Sequence, residues 1–231
     1  MKLKKYTGLI LLVIFFGSCV QAAAAPCYGT YMPAKRKITL GLEYNFVISR
    51  EFEHNHGRVK NQDQFLTLSF GVFDWLSIDL KGGAGKITYK DSEFGDQEFS
   101  TSFAGAYGFR LRLYENKQKR LRLVGGFQHI SVHPRHTNTP SGKYSAVADE
   151  WQGSILGSVG IKKFTPYFGV KYGAYDLIRW INSGNRKRYK SEDNFGLVVG
   201  MDLAIAKNLR LNTEFDFLAG QSASVSLNLD F

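Results

Sequence analysis

The chain has 231 residues, a formal net charge of +10 and a mean hydropathy of −0.21. This length favours a single domain, and no segment after the N-terminus reaches the ~18 apolar residues of a membrane-spanning helix. These values resemble those of a soluble protein. They do not exclude a membrane barrel, because the alternating side chains of barrel strands average out in any hydropathy sum.

The N-terminus has the three regions of a secretory signal peptide. Lysines precede a short apolar stretch, and small alanines follow it. We predict that residues 1–25 are a signal peptide cleaved near Ala24, with lipidation at Cys19 as the alternative. Cleavage leaves Cys27 as the sole cysteine, so no internal disulfide can form. We interpret residues 26–36 as a short periplasmic tail that carries a free thiol.

From residue 37 onward, apolar and polar side chains alternate with the period of two that is typical of β-strands. In the first run, residues 37–50, Ile38 and Leu40 share one face, and Thr39 and Gly41 share the other. Nine further runs follow near residues 64–72, 76–81, 99–113, 121–129, 151–161, 168–175, 195–205, 209–217 and 222–231. Ten strands of roughly this length match the tilted strands that cross a bilayer.

The connections between the predicted strands alternate between short and long. Short turns lie near Asp74, Lys163 and Lys207 and at residues 115–119. Long loops are predicted at residues 51–62, 88–97, 133–149 and 182–193, whereas the last hairpin, near 219–221, is short. Short turns at one end and long loops at the other are typical of outer-membrane barrels.

The last strand ends on the aromatic Phe231, with apolar side chains on one face and serines on the other. Together with the segments 71–76 (GVFDWL) and 165–170 (TPYFGV), this pattern resembles small bacterial outer-membrane β-barrel proteins of the porin-like kind. The resemblance implies an all-β, antiparallel up-and-down transmembrane barrel at residues 37–231, located in the bacterial outer membrane. It also implies that Phe231 is an assembly signal for the outer-membrane barrel assembly machinery. The alternative is a soluble periplasmic β-sandwich or lipocalin-like barrel, whose apolar faces would point inward.

If the apolar faces meet lipid, the polar faces line a lumen. The predicted lumen-lining charges are Glu43, Asp79, Lys81, Arg110, Arg112, Arg122, Lys171, Asp202, Arg210, Glu214 and Asp216. A barrel of about ten strands has a narrow bore, and buried charges must be paired or solvated. Two functions remain open: a closed structural barrel, or a narrow pore for small solutes or ions in which the arginines favour anions.

An enzymatic alternative comes from His129 and Ser131, which lie on the lipid-facing side of the fifth strand. Asp149 or Glu150 begins the neighbouring strand, so a nucleophile, a base and an orienting acid are predicted to lie close together. The arrangement is similar to that of outer-membrane lipid A deacylases, which carry a lipid-facing His-x-Ser pair and typically have Asn after the serine. Here Val132 follows Ser131.

A basic loop is predicted outside the cell and contains Arg186, Lys187, Arg188 and Lys190. Clustered cations bind phosphate, so we expect this loop to contact lipopolysaccharide and other outer-membrane lipids. No spacing of histidines, cysteines or glycines predicts a metal or a cofactor. A nucleic-acid partner is not expected, and the sequence leaves the oligomeric state open.

Overall fold

The computed structural model describes residues 27–91, 95–139, 142–182 and 184–231. The predicted signal peptide and Cys19 lie outside these residues. A short 3-10 turn spans Glu53–Asn55. The strands are β1 (Ile38–Glu51), β2 (Arg58–Phe73), β3 (Leu76–Asp91), β4 (Gly95–Asn116), β5 (Leu121–Val132), β6 (Thr137–Thr139), β7 (Gly142–Val159), β8 (Phe164–Ile181), β9 (Lys187–Lys190), β10 (Phe195–Ala206), β11 (Leu209–Phe217) and β12 (Gln221–Asp230).

Ten long strands form a closed antiparallel barrel, as predicted. Strand β1 pairs with β12 from Thr39, opposite Asp230, to Ser49, opposite Gln221. This pairing joins the first strand to the last. The remaining long strands pair in chain order, including β7 with β8. The short strands β6 and β9 add to the outer ends of β7 and β8. Closure leaves the barrel without an unpaired edge, which is the condition for crossing a bilayer.

The two faces of the wall differ in polarity as the sequence predicts. Each long strand exposes large apolar side chains outward, for example Leu42, Leu66, Leu80, Phe103, Leu123, Ile155, Phe168, Phe195, Phe215 and Leu227. The opposite faces are buried and largely polar, as in the serines of β12. A soluble sandwich or lipocalin-like barrel would have the reverse polarity, so the structure excludes that alternative.

Tight turns lie at one end of the barrel, near Asp74 and at residues 117–120, 160–163 and 207–208. Residue 38 and Phe231 lie at this same end, where the Phe231 N–H donates to the carbonyl of Ile38 at 2.9 Å. Outer-membrane barrels place their short turns in the periplasm. This end is therefore the periplasmic end, and the opposite end is extracellular.

Several strands continue well beyond the apolar band at the extracellular end. The extracellular head, as we name it, comprises residues 51–65, 85–91, 95–102, 142–150 and 173–181. Residues 58–65 alone extend roughly 25 Å along their strand at about 3.3 Å per residue. Much of the sequence predicted as long loops at 51–62, 88–97 and 133–149 is thus strand, whereas β10, β11 and β12 end near the apolar band.

A register shift corrects the predicted orientation of one aromatic residue. The period of two in the run 99–113 predicts that Phe99 faces lipid together with Phe103, but Phe99 is fully buried inside the head. The β3–β4 pairing shifts between Gly85 and Ile87, so the alternation of β4 reverses between the head and the apolar band. A bulge of this kind moves every side chain beyond it to the other face.

Candidate functional site

The periplasmic half of the lumen is occupied by the chain's own N-terminal residues. The luminal segment, as we name residues 27–36, has buried side chains at Cys27 and Met32. The Arg110 guanidinium donates from Nη1 to the carbonyl of Tyr28 at 2.8 Å and to the carbonyl of Tyr31. Residues 27–33 of the segment expected as a periplasmic tail therefore lie inside the barrel, where the thiol of Cys27 is buried, whereas residues 34–36 are exposed at its periplasmic end.

Cations and acceptors of the wall hold the luminal segment in place. Lys81 Nζ lies 4.5 Å from the ring centre of Tyr28, and the Arg210 guanidinium lies 3.3 Å from that of Tyr31. Such cation–π contacts are stronger where water is excluded. The Cys27 N–H also donates to Glu214 Oε1 at 2.5 Å. These contacts replace the water that the charged wall would otherwise need.

Most of the predicted luminal charges form buried ion pairs across the lower lumen. Lys81 Nζ is 2.8 Å from Glu43 Oε1, and Lys171 Nζ is 2.9 Å from Asp216 Oδ2. Arg110 binds Asp79 through two parallel contacts of 2.6 and 2.9 Å. Arg210 lies 3.5 Å from Asp202 and 3.1 Å from Asp230. Paired in this way, the charges require no continuous column of water.

The remaining predicted luminal charges have different partners. Arg112 and Arg122 lie near the periplasmic end, and both contact Glu115, at 3.1 and 2.9 Å. Glu214 accepts a hydrogen bond from the Tyr167 hydroxyl at 2.8 Å. The arginines thus belong to the periplasmic rim, where they are partly exposed.

The extracellular half of the lumen contains an apolar core. Its buried side chains are Phe52, Val59, Phe65, Ile87, Tyr89, Phe99, Ala104, Ala106, Ile130, Val132, Ala146, Ala148, Tyr175 and Leu177. Arg179 lies among these aromatic side chains, 4.6 Å from the ring centre of Tyr89. Arg50 crosses beneath the core, where its Nη1 is 2.9 Å from Glu150 Oε1. The head is therefore filled like the interior of a small globular domain.

Small cavities lie beside the luminal segment. The two cavities beside the luminal segment have volumes of about 30 and 10 Å³. Cavities of this size accommodate isolated water molecules.

On the outer wall, the predicted catalytic residues divide into two separate pairs. His129 Nε2 is 2.8 Å from Asp149 Oδ1, and its ring stacks on Trp151 at 4.0 Å. Ser131 Oγ instead contacts His133 Nε2 at 2.9 Å. His133 was not among the predicted catalytic residues, although its i+2 spacing from Ser131 places both on one face of an extended segment. Glu150 faces the lumen, so it is not part of this cluster.

The basic loop is partly folded onto the head. Strand β9 pairs Arg188 with Ile178, and the Arg188 guanidinium lies 2.7 Å from Asp176 Oδ2. Arg186 stacks over the ring of Trp180 at 5.0 Å. Lys187 and Lys190 are exposed on the same strand. All four cations lie at the extracellular end.

Two features are absent from the described residues. No helix there is long and apolar enough to span a bilayer. No group of three or more histidine, cysteine or acidic side chains in the described ranges could hold a metal ion.

No family model and no curated protein sequence matches the chain. Solved structures with a similar fold include the translocator domain of autotransporter NalP from Neisseria meningitidis, with 11% identity, a TM-score of 0.46, and coverage of 97% of this chain and 94% of that one. The outer membrane protease OmpT from Escherichia coli has 10% identity and a TM-score of 0.45, covering 88% of this chain and 99% of that one. OprG from Pseudomonas aeruginosa has 8% identity and a TM-score of 0.42, covering 87% and 97%. Because these identities and TM-scores are low, the location of the protein is inferred from its own exposed surface.

The exposed apolar band determines where the protein lies. It surrounds the barrel, and aromatic side chains lie at both of its margins, with Trp75 and Phe231 at the periplasmic margin and Trp151 and Tyr172 at the extracellular one. Soluble proteins rarely expose a continuous apolar surface of this extent. An even number of antiparallel strands, an apolar exterior and aromatic girdles define the outer-membrane barrel. The protein is an outer-membrane β-barrel.

Proposed function

We propose that the protein is a closed structural barrel that carries a folded head on the cell surface. The observation that carries the proposal is the filling of the lumen along its whole length. Residues 27–33 and the ion pairs occupy the lower half, and the apolar core occupies the upper half. A conducting path would have to displace both the polar groups of the lower half and the apolar core of the upper half. This supports the structural interpretation over the pore.

Single-channel recording of the refolded protein in planar bilayers tests the proposal. We expect no conductance above baseline for the native chain. A variant that lacks residues 27–34 should also stay closed, because the apolar core above remains in place. Conductance should appear only when that deletion is combined with Phe52→Ala and Tyr89→Ala, which remove two aromatic rings from the apolar core. Steady conductance of the native chain would contradict the proposal.

A second candidate function is hydrolysis of a lipid ester at the outer leaflet. The contact between Ser131 Oγ and His133 Nε2 supports it, since a serine hydroxyl bonded to an imidazole is the first requirement of a serine hydrolase. In this scheme His133 accepts the hydroxyl proton as Ser131 attacks the ester carbonyl, and it returns that proton to the departing alcohol as the ester C–O bond breaks. His133 then accepts a proton from the water that releases the acyl chain from Ser131 as a free acid. Incubation with lipopolysaccharide, followed by mass spectrometry of released acyl chains, provides the test. Release must be lost in Ser131→Ala and in His133→Ala, and release that persists in either variant excludes this site.

We further propose that the exposed cations of β9 contact the phosphates of lipopolysaccharide. Lys187 and Lys190 support this because both are exposed at the extracellular end, and clustered cations attract phosphate. Binding to lipopolysaccharide should weaken in Lys187→Gln with Lys190→Gln, measured by surface plasmon resonance. The same number of charges removed at Lys117 and Lys119, in a periplasmic turn, serves as the control.

A further inference from the structure

A pocket of about 750 Å³ opens in the barrel wall above the β11–β12 hairpin. It exists because neighbouring strands differ in length. Strand β1 continues to Glu51, whereas its pairing with β12 ends where Ser49 lies opposite Gln221. Above the pocket the wall closes again, since Phe52 bridges to Ser191 and the Glu192 N–H donates to the carbonyl of Glu51 at 3.1 Å. The pocket is therefore a window bounded on every side by described residues.

The window does not lead into the lumen. The side chain of Arg50 crosses behind it and donates to Glu150 Oε1 at 2.9 Å and to the carbonyl of Gly173 at 3.1 Å. Ala219 is also buried there. Arg50 Nε is buried without a hydrogen-bond partner among the described atoms. Because its back is closed, the pocket can bind a molecule from the membrane without conducting it.

The lower margin of the pocket is apolar and faces the membrane. Ile48, Phe195 and Leu218 line it, and each side chain is about half exposed. Leu218 has a φ of 78°, in the left-handed region that leucine rarely adopts. A large apolar side chain held out at this strained position has no partner in the core. It is placed to contact an acyl chain.

The upper margin carries charges of both signs. Arg58 and Lys60 lie on the β2 side of the pocket, and Glu192 and Asp193 lie on the β10 side. No ion pair joins these four side chains within the described residues. Of the other charged groups of the lining, Arg50 is already paired with Glu150, and Glu51 lies opposite Arg58 on the neighbouring strand. A zwitterionic ligand complements such a rim, because its phosphate can approach Arg58 and Lys60 while its amine approaches the two acids.

We infer that this window binds a lipid whose head group carries both a phosphate and an amine. The pocket volume falls within the range of roughly 300–1,000 Å³ that is typical of ligand sites. Its apolar margin continues the lipid-facing band, and its charged margin begins where head groups lie. This site does not depend on whether the lumen conducts.

Native mass spectrometry of the detergent-solubilised barrel tests the inference, with phosphatidylethanolamine as the probe. One adduct is expected to bind more tightly than those that follow it. Removing both cations in Arg58→Gln with Lys60→Gln should weaken that adduct about 25-fold, at about five-fold for each cation. The matched control is Lys117→Gln with Lys119→Gln, which removes two exposed cations from a periplasmic turn and should leave the adduct unchanged. Equal affinity in both double variants overturns the inference.

Two further probes separate the possible sources of binding. Phosphatidylglycerol has the phosphate without the amine and should bind more weakly, and Glu192→Gln with Asp193→Asn should remove the difference. Glycerophosphoethanolamine lacks acyl chains and should not bind at the same concentration. Binding of this soluble compound as tightly as the lipid would show that the membrane-facing margin contributes nothing. Leu218→Asn keeps a residue that tolerates positive φ and should weaken the binding of phosphatidylethanolamine.

Discussion

The buried ion pair formed by Arg110 and Asp79 offers a direct test of how the lumen is stabilised. The Arg110 side chain is 5% exposed and that of Asp79 is fully buried, and the two are joined by contacts of 2.6 and 2.9 Å. The same guanidinium donates to the hydroxyl of Ser69 at 3.2 Å and to two carbonyls of the luminal segment. Replacing Arg110 by methionine leaves the carboxylate of Asp79 buried without a counter-charge. We expect the free energy of unfolding to fall by about 3–5 kcal/mol.

The double variant Asp79→Asn with Arg110→Met makes the site neutral again. Because the main cost of each single change is an unpaired charge, the double variant should be more stable than the sum of the single losses predicts, by at least ~2 kcal/mol. Urea unfolding in phospholipid vesicles, followed by tryptophan fluorescence, measures all three variants. The exposed pair of Lys86 and Glu98, with atoms 3.5 Å apart, is the control and should change stability by less than about 1 kcal/mol. Strictly additive losses at Arg110 and Asp79 would refute the pairing argument.

Three other changes test separate parts of the molecule. In Gly71→Ala the new methyl group would overlap the carbonyl of Ala34, so the luminal segment should be displaced and the buried thiol of Cys27 should react with maleimide, whereas Gly82→Ala meets nothing within 4 Å and should behave like the native chain. In Phe52→Ala the loss of a fully buried ring from the head should cost about 3–5 kcal/mol in urea unfolding. In Phe231→Asp stability should fall by no more than ~1 kcal/mol, because the site is interfacial, while assembly into membranes slows; an unchanged assembly rate would show that the terminal aromatic is not the signal.

The wall of the barrel was largely predictable from the sequence. A period of two with one apolar face appears in every strand from Ile38 to Phe231, and a slip of one residue would turn that face toward the lumen. The strand count, the end that carries the short turns and the outward position of His129 all follow from this constraint. Phe99 was misplaced because a bulge changes the alternation without a clear marker in the local composition.

The lumen was less predictable, because its contents depend on contacts between residues far apart in the chain. Tyr28 and Tyr31 have no periodicity that signals an inward position, and they lie there because Arg110 and Arg210 reach them from the wall. The head left a weak signal in the sequence. Inward positions such as Ile87 and Tyr89 are apolar on strands whose outward neighbours are charged, and this reversal of polarity indicates a strand that has left the membrane.

The two halves of the lumen are closed by opposite chemistry, and the position of the membrane accounts for the difference. Within the apolar band the outer face is committed to lipid, so the inner face carries the polar residues and must satisfy them with ion pairs and the backbone of the luminal segment. In the head the outer face meets water, and the inner face can pack side chains such as Phe52 and Leu177 as a soluble domain does. Disruption of one half should therefore leave the other folded. Hydrogen exchange in Phe52→Ala should rise at the head amides and remain slow at those of residues 107–113.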